Sequence, residues 1–361
     1  MVSCCCKKVE NIGMKKVLVR VDGGNKLGMG HVMRCITLAR ELKKKNIEVF
    51  FVCADEKPKL IIKNNGFEIM VLKKGKQEMN CELPEMIEII NKTDANLCII
   101  DSYFATNDYY MQIQKHIPLV VIDGKSECAS EVSVIINPNI NANKRLYYAR
   151  GIKQAKMLCG INYSFIRSTF IEKRRKNLNE KVNNILLTVG GSDFYNATLK
   201  ILEKIKERSF FNDVEIHIVV GPYFEKNTIF KLKQFSNRNI HIYENVLDLS
   251  TLMAEMDLII TTGGTTVFEV MALSIPCIVF AIADNQYDAK GLSKYVNWFG
   301  DIRSDNLRYL DDYKCTKMLE YVEKIIYEYK KQQIKIDNIK NEFDGKGIYR
   351  ITSTIMNKVL K

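Results

Sequence analysis

The chain has 361 residues, 47% of them apolar and 27% charged, with a formal net charge of +12. That length allows two domains, each with its own core, and no apolar run approaches the roughly 18 residues of a membrane-spanning helix. The excess charge is not a nucleic-acid footprint: the clusters at 43–45 and 173–176 and the lysines of the C-terminal stretch sit where solvated positive charge ends helices or fills connectors, which leaves an attraction for a small diphosphate and no nucleic-acid partner.

Residues 1–13, which include Cys4, Cys5 and Cys6 but no apolar signal segment, read as a disordered extension ahead of Met14. The eleven cysteines are odd in number and lack zinc spacing, so they read as thiols of a reducing cytoplasm. Residues 17–21 are an apolar run suited to a buried parallel strand, 22–30 a glycine-rich loop, and 31–45 a helix with apolar residues at helical spacing. The loop therefore opens at the carboxyl end of a strand, where ligands bind in open α/β sheets and helix N–H groups receive anions.

His31 begins that helix, where positive charge is disfavoured, and a neutral imidazole there suits a general base. The alternative is a histidine that only caps the helix or fills the turn. Arg34 lies three residues on, on the same helix face, and Asp22 ends the strand, so an acid, a base and a cation are expected around one loop. Of the other three histidines, His217 and His241 sit in apolar alternation and His116 precedes a strand, so all three read as structural.

Strand and helix then alternate. EVFFVCA from Glu48, FEIMVL from Phe67, LCIID from Leu97, PLVVID from Pro118 and SVIIN from Ser133 read as strands of a parallel sheet covered on both faces. The charged stretch 172–181 is the hinge, and NNILLTVGGSD, VEIHIVVG, NIHIYEN, MDLIITTGG and IPCIVFAIA form a second round. The fold class is thus α/β, two doubly wound Rossmann-like domains at 14–172 and 182–361 facing across a cleft, with the substrate between them. Helices beyond Asn306 pack on the second domain or cross back to the first.

In the second half a strand ends at Thr262, Gly263 and Gly264 permit close backbone approach, and a helix beginning near Thr265 offers N–H groups to a phosphate. Glu269, one turn on, is an acceptor suited to a ribose diol, or else a surface helix residue. DNQ at 284–286 follows the next strand and reads as a sugar contact or an ordinary N-cap. DSYF at 101–104 offers Tyr103 to the cleft, or to packing.

These residues resemble a known family. Arg20, Asp22, Gly28, Gly30, His31 and Arg34, with DSY, CGINYSFIR from Cys159, GGSD from Gly190, GGTTVFE and DNQ in order, are similar to the UDP-2,4-diacetamido-2,4,6-trideoxy-β-L-altropyranose hydrolases of pseudaminic acid biosynthesis, relatives of two-domain GT-B glycosyltransferases. The resemblance runs from about Met14 to about Tyr295. It implies that His31 activates water, that Tyr103 and Asn285 surround sugar and water, and that Glu269 holds the uridine ribose. Arg20, Asp22, Gly30, Arg34, Arg167 and Gln286 complete the candidate substrate contacts, and Gly190, Gly191, Ser192, Gly263, Gly264 and Thr265 the nucleotide contacts. It further implies water attack at the anomeric carbon with inversion, release of UDP, no metal or cofactor, and a cytoplasmic enzyme working beside other pathway enzymes without membrane insertion.

Gly23, Gly24 and Asn25 stand where family members often carry serines, which leaves the exact sugar open. An inverting glycosyltransferase with a UDP-sugar donor and a non-catalytic nucleotide-sugar binder are the alternative readings. A dehydrogenase fits poorly, because Gly28 and Gly30 are followed by Met33 instead of the third glycine of G-x-G-x-x-G.

Overall fold

A computed structural model describes residues 14–24, 29–73, 79–246 and 248–360. The expected extension at 1–13, its three cysteines, and Asn25 and Gly28 of the first loop lie outside the described residues.

The first sheet contains β1 (Lys16–Val21), β2 (Glu48–Cys53), β3 (Glu68–Val71), β4 (Leu97–Asp101), β5 (Leu119–Ile122), β6 (Val134–Asn137) and β7 (Lys156–Cys159), in the order β3-β2-β1-β4-β5-β6-β7. The second contains β8 (Asn184–Thr188), β9 (Glu215–Val220), β10 (Ile240–Glu244), β11 (Leu258–Thr262), β12 (Cys277–Ala281) and β13 (Asn297–Asp301), in the order β10-β9-β8-β11-β12-β13. All the named strand pairs are parallel. These runs form strands because they are apolar, β-branched and short, and their central members are buried on both faces, as β4 and β12 are along their whole length. Strand order reverses between β1 and β4 and again between β8 and β11, so each sheet opens a crevice at the carboxyl ends of those strands. The strands β7 and β13, beyond those expected from the sequence, are short and lie at the sheet edges.

Alternation decides which side chain enters which layer. In β1 and β4, Val17, Val19, Val21, Leu97 and Ile99 face the helix Gly30–Lys43, whereas Leu18, Cys98 and Ile100 pack into the opposite layer.

The C-terminal helices divide between the lobes. Cys315, Met318, Leu319 and Val322 of the helix Asp312–Tyr327, and Ile336 and Ile339 of the helix Gln333–Glu342, join the cores of the second domain. The last helix, Gly347–Lys358, crosses back: Ile348, Ile351 and Ile355 are fully buried in the core of the first domain beside the helix Gly30–Lys43. Both courses open to the helices beyond Asn306 are therefore taken, the last helix leaving the second lobe for the first. The driving force is burial, about 1.5–3 kcal/mol for each such side chain relative to exposure. The crossing requires glycine at its start, since a Cβ on Gly347 would lie 2.4 Å from the Ser164 carbonyl oxygen.

The two carboxyl edges meet across the cleft. A Cβ on Gly30 would be 3.7 Å from the Thr265 side chain, and one on Gly191 would be 3.6 Å from Met29. Tyr223 Oη donates to the Lys57 carbonyl at 3.1 Å, and Asn139 Nδ2 donates to Asp288 Oδ2 at 3.1 Å.

Candidate functional site

The helix Gly30–Lys43 begins without a side-chain cap on its first amides and without an acidic residue in its first turn. His31 is its second residue, and helical spacing puts Arg34 on the same face. Both point at the end of β4. His31 Nδ1 is 2.6 Å from Asp101 Oδ1, and Arg34 Nε donates to Asp101 Oδ2 at 2.6 Å while its Nη2 donates to Oδ1 at 2.5 Å. Asp101 is fully buried. Burial would push its carboxyl up, but the Arg34 guanidinium and the His31 imidazole together hold it well below the usual carboxylate range. A carboxylate kept ionised 2.6 Å from Nδ1 needs the ring proton between them, so Nδ1 donates and Nε2 carries the lone pair. With the proton on Nδ1, Arg34 Nη2 at 3.2 Å finds no acceptor there, and this is a contact of neighbours on Asp101 and not a hydrogen bond.

Nε2 has no protein partner among the described residues, and the side chain keeps 9% of its surface open. The Tyr103 ring stands edge-on to the imidazole at 4.4 Å, and Gly124 lies against Tyr103 and Arg34, closing that side. The arrangement is an imidazole whose tautomer is fixed by a buried carboxylate, and such a pair can act as a base because the same carboxylate stabilises the imidazolium formed when Nε2 takes a proton.

This cluster differs from the expected one in its acid. Asp22 and Asp101 end neighbouring strands in register, Val21 opposite Asp101, but Asp22 is one residue beyond that pair and so turns to the other face of the sheet. There Asp22 Oδ1 accepts from Arg20 Nη1 at 2.6 Å, and Arg20 Nε and Nη2 donate to the two oxygens of Glu82 at 2.7 and 2.9 Å. Tyr109 Oη also donates to Glu82, at 2.8 Å. Arg20, 1% exposed with these donors engaged, is a buried framework ion and not a direct substrate contact. Arg34 is likewise committed to Asp101, where it orients the carboxylate. Asp101 shares the parity of Leu97 and Ile99, and the pairing of β4 beside β1 turns that parity into contact with His31.

The second lobe repeats the frame with other side chains. The helix Thr266–Leu273 also begins without a side-chain cap, behind Gly263 and Gly264. Gly264 has open space where a Cβ would be, and Gly263 is pressed against the 284–292 segment, its Cβ position only 2.3 Å from the Gln286 carbonyl oxygen. Glu269 lies in this helix and pairs with Arg167 of the connector at 3.0 Å; their side chains are 19% and 20% exposed. Burial pushes the Glu269 carboxyl up, and Arg167 offsets part of that. Arg167 also lies over the Phe170 ring at 4.7 Å. It is therefore gathered to Glu269 and not to the His31 cluster.

Gly190 has φ +90°, a left-handed turn that suits glycine, and Gly191 and Ser192 follow at the cleft edge. Asp193 caps the helix Ala197–Lys206, accepting from the Ala197 and Thr198 amides at 2.6 and 2.8 Å. Asn285 is exposed, while Gln286 Oε1 accepts from the Ile282 amide at 2.8 Å, which leaves its NH2 group for any sugar contact. His217 contacts Tyr243 Oη and Asn184, and His241 contacts Glu215, so both are partnered within the second sheet.

Residues 184–294 match the glycosyltransferase family 28 C-terminal domain. An uncharacterized protein of Methanocaldococcus jannaschii is 29% identical over 277 residues, covering 73% of this chain and 55% of that protein, so the chain spans about half of that relative's length. UDP-2,4-diacetamido-2,4,6-trideoxy-beta-L-altropyranose hydrolase of Campylobacter jejuni is 23% identical over 275 residues, 75% of this chain and 93% of the relative. The chain is thus similar to a named UDP-sugar hydrolase along most of that protein's length. The resemblance read from the motifs is thereby borne out, and so is the two-domain GT-B fold: the crystal structure of Acinetobacter baumannii MurG has a TM-score of 0.60 at 13% identity, covering 95% of this chain and 99% of that one.

Proposed function

We propose that this chain is a cytoplasmic nucleotide-sugar hydrolase that releases UDP from a UDP-2,4-diacetamido-2,4,6-trideoxyhexose in pseudaminic acid biosynthesis. The observation that carries the reading is the His31–Asp101–Arg34 cluster at the mouth of an interdomain cleft whose opposite wall is an uncapped helix N-terminus. The named hydrolase relative supports the substrate class, and the buried free thiols of Cys35, Cys53, Cys98, Cys128, Cys277 and Cys315 fit a reducing compartment.

In this mechanism His31 Nε2 takes a proton from water as the water attacks the anomeric carbon, and Asp101 stabilises the imidazolium that forms. The bond to the diphosphate breaks on the opposite side, which inverts the configuration. UDP leaves toward Gly263, Gly264 and Thr265, where the amides and the helix dipole stabilise its developing charge. Glu269 receives the ribose diol, Gly190, Gly191 and Ser192 line the nucleotide side, and Tyr103, Gly30, Asn285 and the NH2 group of Gln286 surround the sugar. No step runs through a metal, so turnover survives EDTA.

The deciding experiment is mass spectrometry of the products formed from the UDP-diacetamido sugar in the absence of any acceptor. Free sugar and UDP from the wild type, and neither from His31→Asn, is the expected result. The match to a glycosyltransferase family domain favours a second reading as an inverting transferase, which would leave the substrate intact until a hydroxyl acceptor is added. Calorimetric binding of the UDP-sugar without turnover under either condition would mark a binding protein.

A further inference from the structure

The proposed reading, on which this inference rests, sets Asn285 of the 284–292 segment against the sugar, and that segment is held from both lobes. The segment follows β12 and is pressed between the two lobes. On one side the Gln286 carbonyl abuts Gly263; on the other, a Cβ on Gly291 would lie 2.5 Å from the Ile140 side chain of the first domain. Its successive side chains are anchored one by one. Asp284 accepts from Arg303 Nη2 at 2.7 Å, Gln286 accepts from the Ile282 amide, Tyr287 Oη donates to Asp301 Oδ2 at 2.8 Å, and Asp288 accepts from Asn139 of the other lobe. Asn285 alone among these five has no partner among the described residues. A short segment fixed on both sides of one uncommitted amide presents that amide at a defined place.

Two of the anchors share a single source. Arg303 is 5% exposed, and its Nε and Nη2 grip Asp301 at 3.0 and 2.8 Å while Nη2 also reaches Asp284. Asp301 in turn takes the Tyr287 hydroxyl and the Arg303 amide, the latter at 2.8 Å. The Arg303 carbonyl accepts from Lys314 Nζ at 2.9 Å, which ties the loop to the helix Asp312–Tyr327. A buried guanidinium with two carboxylates in a planar fork is a rigid connector.

We propose that Arg303 and Asp301 are positioning residues that hold the 284–288 segment so that Asn285 meets the sugar across the cleft. Arg303 touches neither sugar nor nucleotide; it acts through Asp284 and, by way of Asp301, through Tyr287. Its loss blurs the position of Asn285 and spares the UDP half of the site, which is built from the β8 and β11 loops.

The test is a double-mutant cycle on the full chain, read as affinity for the UDP-diacetamido sugar against affinity for UDP by calorimetry, together with UDP release where turnover occurs. Arg303→Ala lowers UDP-sugar affinity or kcat by about tenfold or more, leaves UDP affinity unchanged, and has no further effect in an Asn285→Ala background. Arg303→Lys recovers part of the loss. Asp284→Ala removes the Arg303–Asp284 contact at a side chain that is 84% exposed, so it breaks the connection without unfolding the protein and reproduces a smaller loss of the same kind. Equal losses from Arg303→Ala with and without Asn285, a parallel fall in UDP affinity, or no effect from Asp284→Ala would overturn the proposal. Because the binding readout needs no turnover, a protein that binds without hydrolysing still tests this inference, while the product analysis tests the reaction.

Discussion

The two lobes use one frame for different chemistry. In each, a strand at the reversal of strand order delivers a glycine loop into an uncapped helix N-terminus at the cleft. In the first lobe that helix carries His31 and Arg34 onto a buried carboxylate; in the second it carries Glu269 onto a connector arginine. The frame thus supplies two facing sets of backbone donors, and under the proposed function a few side chains decide which lobe moves a proton and which holds a nucleotide. The same contrast appears in their carboxyls. Asp101 is held low by two partners despite burial, whereas Glu269, with one, is pushed up.

The largest expected break in this division is His31→Asn. Removing the proposed base lowers UDP release by about 10²–10⁴-fold while leaving UDP affinity intact, because the proposed nucleotide site lies on the other lobe. A fall in UDP affinity of similar size would place the two functions in one lobe. Asp101→Asn comes next: the Nδ1 proton loses its carboxylate and Arg34 is left buried without its counter-ion. We expect a comparable fall in kcat and, in denaturant unfolding, a loss of about 3–5 kcal/mol. The sign of its pH dependence follows from the lowered carboxyl. Its stabilisation is fully present above the ordinary carboxylate range and fades only as pH falls into strong acid, so acid unfolding of the wild type shows no loss from this carboxyl until pH falls below the ordinary carboxylate range.

A smaller effect, of opposite sign on stability, is expected at Glu269. Its folded-state carboxyl is raised, so keeping it ionised costs stability at neutral pH. The advantage of Glu269→Gln in thermal unfolding therefore grows as pH rises from about 4 toward neutrality. The same variant weakens UDP binding by about tenfold, with kcat at saturation nearly unchanged. The smallest functional effect belongs to Arg20. An Arg20→Met variant, which leaves Glu82 buried without its counter-ion, loses stability by denaturant unfolding and keeps its KM for the UDP-sugar, since the guanidinium is engaged by Asp22 and Glu82.

Much of this was legible in the chain itself. Apolar runs ending in glycine marked β1, β8 and β11, and helical spacing placed His31 and Arg34 on one face. The acid could not be chosen that way. Asp22 is near His31 in sequence, and Asp101 is seventy residues away; only the pairing of β1 with β4 brings Asp101 to the ring, and only side-chain alternation turns Asp22 from it. Arg167 and Arg303 illustrate the same limit, because an arginine in a connector or past an edge strand carries no periodic signal of its partner. The edge strands β7 and β13 were missed for a related reason: KMLC and NWFGD are too short and too mixed to stand out from the loops around them.

By itself, the order of residues determined the layers, the two glycine loops and the helix that presents the imidazole, since these depend on local period and on turn chemistry. The tertiary structure alone decided which carboxylate fixes that imidazole, which lobe the last helix covers and which side chains are left free at the cleft. Those outcomes depend on register between distant strands and on which charges must share the same buried volume, and neither is written in any one segment.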